Sequence, residues 1–247
     1  MRESSADSKS AAYLLVAHGS RDLRSQLALT QLADLFRDSS QNYRVGTAVL
    51  EFGEVSLDQQ IVAFAGELEA GDRLEILPIF LLPGVHVQED LPAAIDVARP
   101  NLPKGLEIIL HPHLGAHAGM AKLLTQQMSE HQIDAWILLS HGSRRAAGNQ
   151  AIAQLSQRIG AHPAYWSIAP SLAEVVTRLI ASGHKQIGIL PYFLFAGKTT
   201  DGINQAVQEL RLQFPQVSLD LAHSLQPTVE LATILLDLCQ SDCPTSP

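Results

Sequence analysis

The chain has 247 residues, of which 46% are hydrophobic and 17% charged, a balance typical of globular proteins. There are 17 Lys and Arg against 25 Asp and Glu, a formal net charge of −8, and no Lys/Arg run, which argues against nucleic-acid binding through phosphates. No apolar run reaches the roughly 18 to 20 residues that cross a bilayer, and the acidic start does not resemble a secretory signal. We therefore expect a cytoplasmic protein with neither a nucleic-acid nor a membrane partner.

Strand and helix patterns alternate from the start of the chain. After a Ser-rich start, residues 1–11, which we expect to be mobile, the run 13–17 predicts a short strand ending at His18, and the segment that follows has helical apolar spacing. A second strand, 45–50, leads to Glu51, and Ser56 is a suitable N-cap for the next helix. The first two units are therefore strand, loop and helix.

The third predicted strand is the most informative stretch of the first half. Its apolar run, 74–82, breaks at Pro83-Gly84 and leads into a loop that carries His86. This pattern predicts a strand buried on both faces, with a loop at its carboxyl end. The first half is completed by a helix over roughly 89–98, a strand over 106–110, a loop over 111–117 and a helix through Met128.

The second half repeats the first. The segment 136–144 restates 14–21 and places His141 at the position of His18, and 189–197 restates 76–84. Because parallel strands joined by helices form right-handed crossovers, the repeat predicts an α/β protein of two similar doubly wound domains. Each domain should have a mainly four-stranded parallel sheet flanked by helices. The predicted domains are 12–131 and 132–240, followed by a tail, 241–247.

Three side chains capable of metal chemistry follow three different strands of the first half. His18, Glu51 and His86 each come after a strand's carboxyl end, the edge where ligands bind in open parallel sheets. Two imidazoles and a carboxylate suit Fe, Co, Ni or Zn, and a neutral imidazole can also accept a proton. We predict that all three bind metal and that His18 and His86 are catalytic.

The repeat acts as an internal control for this hypothesis. It keeps His141, but Thr199 stands at the position of His86, and the position of Glu51 falls near Trp166. The strands are retained and the set is lost, so we expect one centre per chain, in the first half.

Other interpretations apply to these residues one at a time. A loop histidine often serves only a turn, and a lone Glu is usually exposed. A histidine phosphatase would need an Arg before its nucleophilic His, and Ala17 precedes His18 here. A metal- or tetrapyrrole-carrying protein without turnover remains an open alternative. Cys239 and Cys243, with three residues between them, do not by themselves form a zinc-site spacing.

The segments 14–22 and 78–92 resemble the CbiX/SirB family of sirohydrochlorin chelatases in its long, two-domain form. The resemblance implies insertion of Fe²⁺, giving siroheme, or Co²⁺, giving cobalt-sirohydrochlorin, without ATP or any cofactor beyond the metal substrate. By position, it implies that His18 and His86 are the family's active-site histidines and Glu51 its metal-site carboxylate. His117 follows a loop similar to the family's Leu-Gly-Pro-His, with Ala116 in place of the proline.

The resemblance also suggests how the substrate binds. The two halves would form the walls of a cleft, which makes a monomer plausible because the halves replace a homodimer. Sirohydrochlorin carries several carboxylates, which basic side chains can hold, although solvated surface cations are an equally ordinary role for the same residues. The candidate substrate contacts are Arg21, Leu82, Gly84, Val85, His117, Arg144 and Lys198.

Overall fold

The computed structural model describes residues 11–39, 43–69, 71–143 and 146–240. The first half contains a parallel sheet with the strand order β2-β1-β3-β4. Its strands are β1 (Ala11–Ala17), β2 (Arg44–Val49), β3 (Arg73–Ile79) and β4 (Glu107–Leu110). Its helices are α1 (Leu23–Ser39), α2 (Leu57–Ala65), α3 (Leu91–Ala98) and α4 (Gly119–Ser129).

The second half has the same architecture, with a parallel sheet in the order β6-β5-β7-β8. Its strands are β5 (Ala135–Ser140), β6 (Ala161–Tyr165), β7 (Gln186–Pro191) and β8 (Ser218–Leu221). Its helices are α5 (Ala146–Ile159), α6 (Leu172–Ala181), α7 (Lys198–Gln213) and α8 (Val229–Gln240). The predicted α/β fold of two similar four-stranded parallel sheets is confirmed.

The strand pairings follow the repeat seen in the sequence. Val16 pairs with Pro78 in the first sheet, and Leu139 pairs with Pro191 in the second. Both central strands are almost wholly buried, as expected for a parallel sheet covered by helices on both faces. The continuous apolar runs in the sequence therefore correspond to the centres of the two sheets.

The two halves share one hydrophobic core. Each sheet has its own outer core beneath its outer helices, and a third, larger cluster joins both halves. In that cluster α1 packs against α8, and α4 packs against α5 and α8. The first helix of each half thus contacts the last helix of the other.

Two expectations, about the start of the chain and about the loop after β3, need adjustment. Ala11 belongs to β1 and is 5% exposed, so a mobile start extending through this residue is wrong. Residues 1–10 and the tail, 241–247, lie outside the described residues. His86 is not in an open loop but begins a π-helical turn, His86–Asp90, that runs directly into α3.

No helix within the described part of the chain is long and apolar enough to cross a bilayer.

Gly188 allows Trp136 to pack within the second sheet. The two residues are paired across β7 and β5, and a Cβ at Gly188 would lie 2.5 Å from the Trp136 ring. We predict that Gly188→Val lowers the free energy of unfolding by about 1–3 kcal/mol, because the buried ring must shift to make room. Urea unfolding measures this. Gly66→Ala is the control, since its Cβ would meet nothing closer than 3.4 Å; equal effects would contradict the prediction.

Candidate metal centre and cleft

The loops that follow β1 and β2 are held together by main-chain contacts. The Glu51 N–H donates to the His18 carbonyl oxygen at 2.8 Å. Gly19, between them, has φ +96°, and a Cβ there would lie 1.9 Å from the Glu51 carbonyl oxygen. A glycine is therefore required for His18 and Glu51 to come this close.

The π-turn after β3 orients His86. Its Nδ1 donates to Asp90 Oδ2 at 2.7 Å, and the Leu91 N–H closes the turn on the His86 carbonyl oxygen. A carboxylate on Nδ1 fixes the tautomer of a histidine and leaves Nε2 as the nitrogen with a free lone pair. His86 is therefore presented as an Nε2 ligand or base.

The structure brings the three predicted residues together. One ligand atom from each of His18, Glu51 and His86 lies within 4.8 Å of the others. The two imidazole rings meet edge to face, with centroids 4.6 Å apart. His18 Nδ1 faces its neighbouring Gly19 carbonyl oxygen at 3.3 Å, which also favours a free Nε2. The group, called here the His–Glu–His set, offers two nitrogens and one carboxylate oxygen to a divalent ion.

A cleft of about 510 Å³ adjoins the two histidines and is lined by both halves. The first half contributes His18, His86 and the segment 79–84; the second contributes 141–143 and 192–194. Most of the lining is apolar, as in ordinary small-molecule sites of this size. The carboxyl ends of the central strands of both sheets therefore face one cavity.

Polar contacts tie the halves together near the cleft. Arg24, in the first turn of α1, bonds Asp22 at 2.7 Å and reaches Asp201 of α7 at 2.6 Å. The hydrogen bonds from Arg24 lower the pKa of Asp22 to about 2. Ser25 Oγ donates to the Ala196 carbonyl oxygen at 3.0 Å. The start of α1 thereby fixes the loop after β7.

Among the predicted substrate contacts that the structure describes, two line the cleft. These are Leu82 and Gly84. Val85 precedes the π-turn, outside the lining. Arg21 is exposed and stacks over the Phe52 ring at 5.0 Å, beside Glu51. Lys198 is exposed at the start of α7.

The two remaining predicted contacts are His117 and Arg144. The His117 Nδ1 accepts the Gly119 N–H at 3.1 Å, and the residue is not part of the cleft lining. His117 therefore contacts the backbone at the start of α4, and the substrate contact that its loop implies stays a prediction. Arg144 lies outside the described residues.

The second half keeps the backbone of the site without its ligands. The Ser167 N–H donates to the His141 carbonyl oxygen at 3.0 Å, as Glu51 does to His18. The counterpart of Glu51 is thus Ser167, one residue beyond Trp166. Thr199 lies in the first turn of α7. His141 alone is left of the set, and it lines the cleft from the opposite wall.

Sequence reasoning missed Asp90 and the steric role of Gly19. The spacing of four residues between His86 and Asp90 was a usable signal, because such pairs share a face of a helical turn. No local pattern, in contrast, shows that Gly19 lies against the Glu51 carbonyl group.

Comparison with known proteins gives a consistent family assignment. The sequence model of the CbiX family matches residues 12–131 and again 135–241. A sirohydrochlorin cobaltochelatase from Priestia megaterium is 26% identical over 238 residues, covering 90% of this chain and 76% of that protein. A sirohydrochlorin ferrochelatase from the same organism is 23% identical over 222 residues, covering 84% and 82%.

A solved structure shares the fold. SirB from Bacillus subtilis with Fe³⁺ superposes with a TM-score of 0.79 at 19% identity, covering 94% of each chain. At that identity the similarity establishes the arrangement of the two sheets and no more.

Gly19→Ala should remove the metal centre. The new methyl group would collide with the Glu51 carbonyl oxygen at 1.9 Å and would require a strained positive φ. We expect Co²⁺ binding by the His–Glu–His set to be lost and thermal stability to fall, as measured by calorimetric titration and melting. Gly84→Ala is the control, because nothing lies within 4 Å of its added Cβ. Unchanged Co²⁺ binding in Gly19→Ala would refute this account.

Asp90→Ala should weaken metal binding without unfolding the protein. Loss of a carboxylate that orients a ligating histidine typically costs about 10–100-fold in metal affinity. Co²⁺ titration measures the change. Asp96→Ala provides the control, since Asp96 lies on α3 with its side chain 76% exposed. If both variants bind Co²⁺ equally well, Asp90 does not position His86.

Proposed function

This chain belongs to the CbiX family, and we propose that it is a sirohydrochlorin chelatase, a lyase that inserts Fe²⁺ or Co²⁺ into the tetrapyrrole. The observation that carries the proposal is the convergence of His18, Glu51 and His86 beside a cleft shared by both halves. The named activities of the related Priestia megaterium proteins support the substrate. The metal here is a substrate, delivered to the ring.

The His–Glu–His set has the two properties that metal insertion requires. The ring must lose two pyrrole N–H protons as the metal enters, so the site needs metal ligands and a proton acceptor facing the ring. Three protein donors hold a divalent ion while leaving positions open for the incoming nitrogens. A neutral imidazole whose Nε2 lone pair is free can accept a proton near neutral pH. Asp90, on the far nitrogen of His86, stabilises the imidazolium that results.

Metal delivery and proton removal would alternate at the same side chains. As each pyrrole nitrogen replaces a protein ligand on the metal, the released imidazole becomes free to take up the proton. Glu51 is exposed, and its carboxylate can transfer the released protons to solvent. The set, with Asp90 on His86, would thus supply both the metal ligands and the proton acceptors of the insertion step.

The cleft suits a flat ring with charged margins. Leu82 and Pro83 on one wall and Phe193 and Leu194 on the other offer apolar surface to the ring faces. The acid groups of the substrate would extend beyond the apolar walls, and Arg21 and Lys198 are exposed basic residues outside the cleft lining. We include both, together with Arg144, as proposed carboxylate partners.

Because both walls come from one chain, we propose that the protein is active as a monomer. We further propose that insertion needs no ATP, and cytoplasmic location stays a prediction. Fe²⁺ and Co²⁺ both suit the donor set, and the choice between them in a cell depends on availability as well as affinity.

The test is an anaerobic assay with purified protein, sirohydrochlorin and Fe²⁺ or Co²⁺, without ATP. The expected result is a change in the substrate's absorbance that is faster than the uncatalysed insertion and proportional to enzyme concentration. A rate no greater than the uncatalysed one would overturn the proposal.

A carrier of metal or tetrapyrrole is the second candidate function, because a carrier could also use an exposed metal centre beside an apolar cleft. Turnover separates the two: a chelatase converts many equivalents of substrate, whereas a carrier binds at most one and releases it unchanged.

His86→Ala should lower the insertion rate by about 10²-fold or more, the usual scale for loss of a general base. The fold should survive, because the side chain is 34% exposed. Initial rates and circular dichroism check both statements. His223→Ala, which removes an exposed histidine outside the cleft lining, should retain the parent rate. A His86→Ala enzyme as fast as this control would show that His86 is not catalytic.

His141→Ala should cost much less than His18→Ala, since the second half lacks the partners that complete a centre. Steady-state rates of the two variants, measured side by side with sirohydrochlorin and Co²⁺, make the comparison. Equal losses would mean that the second half takes part in the chemistry, and that Thr199 and Ser167 must be examined as its partners.

A further inference from the structure

A second group of potential metal ligands lies inside the core shared by the two halves. Glu75 points from β3, His111 follows β4, and Cys239 lies in the last turn of α8. One ligand atom from each lies within 4.8 Å of the others. This buried triad shares no residue with the His–Glu–His set.

The hydrogen bonding of this group is incomplete. The Glu75 and His111 side chains are 5% and 3% exposed, and His111 Nε2 lies 2.9 Å from Glu75 Oε2. His111 Nδ1 is buried with no hydrogen-bond partner among the described residues. Arg73 approaches Glu75 only at 3.5 Å. Glu75 therefore has one hydrogen bond and one longer ion pair in an apolar core, and because buried polar groups are normally fully paired, its carboxylate can accept a cation as a further partner.

Cys239 brings sulfur to this place from the other half of the chain. Its thiol donates to the Leu235 carbonyl oxygen at 3.1 Å. Burial, and secondarily the charge of Glu75, raise the pKa of the Cys239 thiol to about 12. The thiol therefore carries its proton at neutral pH unless a cation displaces it.

We propose that Glu75, His111 and Cys239 form a second, structural metal site that binds Zn²⁺ and ties α8 to the sheet of the first half. One oxygen, one nitrogen and one sulfur donor are ligands that Zn²⁺ accepts readily, and a water molecule can complete the tetrahedron. Binding exchanges the thiol proton, released to solvent, for a zinc–thiolate bond. It also replaces the Glu75–His111 hydrogen bond with two bonds to the ion.

The geometry requires small side-chain shifts only. Donor atoms around a tetrahedral zinc ion are about 3.3–3.8 Å apart, given bonds of roughly 2.0–2.3 Å. The present 2.9 Å contact between His111 and Glu75 would open slightly, and the outer limit of 4.8 Å would contract by about 1 Å. Side-chain rotation without movement of β3 or α8 can supply both.

Sulfur makes this site separable from the catalytic one by experiment. The His–Glu–His set contains no cysteine, so a thiolate-to-metal charge-transfer band of bound Co²⁺ cannot come from it, and the buried triad can give one through Cys239. The probe is Co²⁺ added anaerobically, with a non-thiol reductant, to the full-length His18→Ala/His86→Ala protein. That background removes the competing site.

The expected result is a near-ultraviolet charge-transfer band that saturates at one Co²⁺ per chain and is abolished by an equivalent of Zn²⁺. Cys239→Ser in the same background should lose the band. Cys243→Ser is the matched control, because Cys243 is the only other cysteine of the chain, and it should retain the band. Absence of the band in the parent, its persistence in Cys239→Ser, or its loss in Cys243→Ser would overturn the proposal.

A stability measurement distinguishes loss of the zinc site from misfolding of a variant. Zn²⁺ should raise the melting temperature of the parent and of Cys243→Ser by several degrees, because an ion that binds only the folded state stabilises it. The same addition should leave Cys239→Ser and His111→Gln unchanged. In the folded parent, Zn²⁺ should also slow alkylation of Cys239. An equal zinc-induced shift in all four proteins, or an unprotected Cys239, would exclude the site.

Discussion

The main-chain hydrogen bond from Glu51 to His18 continues the pairing of β1 and β2 beyond the ends of both strands. The candidate metal centre depends on this hydrogen bond. It extends the register of β1 and β2 past the strand ends and so fixes the separation between His18 and Glu51. Gly19 is what permits it, since any side chain at this position would collide with the Glu51 carbonyl group. His86 is then added from β3, the other neighbour of β1, by a π-turn that Asp90 completes. The centre thus rests on rigid strand ends, which suits a site that must hold an ion without enclosing it.

The duplicated half shows that the backbone scaffold and the chemistry are separable. Ser167 makes the same main-chain bond to His141 as Glu51 makes to His18, and β5 and β7 keep the register of β1 and β3. The halves differ at Ser167 and Thr199, and Thr199 lies in the first turn of α7 whereas His86 begins a π-turn ahead of α3. The second sheet and its helices therefore form with Ser167 and Thr199 in place of Glu51 and His86, which is the evidence that these two side chains are not needed for the fold.

The fold and the membership of the His–Glu–His set could be predicted from sequence because both follow from periodicity and topology. Unbroken apolar runs identify buried parallel strands, and residues that follow such strands meet at one edge. Other features depend on contacts that have no local pattern. A fixed sequence offset puts the counterpart of Glu51 near Trp166, because an offset does not detect a one-residue insertion between two strands. The main-chain hydrogen bond to His141 identifies the counterpart as Ser167. His117 resembled a site residue by its loop, yet its ring caps α4. Glu75 went unnoticed inside an apolar run because its partners, His111 and Cys239, come from distant elements.

Helices of the two halves pack against each other, α1 against α8 and α4 against α5, and this packing has an evolutionary consequence. In a symmetric homodimer every substitution appears twice, so a residue that improves one wall of a cleft also alters the other. Two copies joined in one chain are free of that coupling, while α1 packs against α8 and α4 against α5 across the two halves. Selection can then maintain the side chains of a reactive site in one copy, while substitutions in the other copy adjust the shape of the cleft. Ser167 and Thr199 stand in the second half where Glu51 and His86 stand in the first, and the second half still lines the cleft.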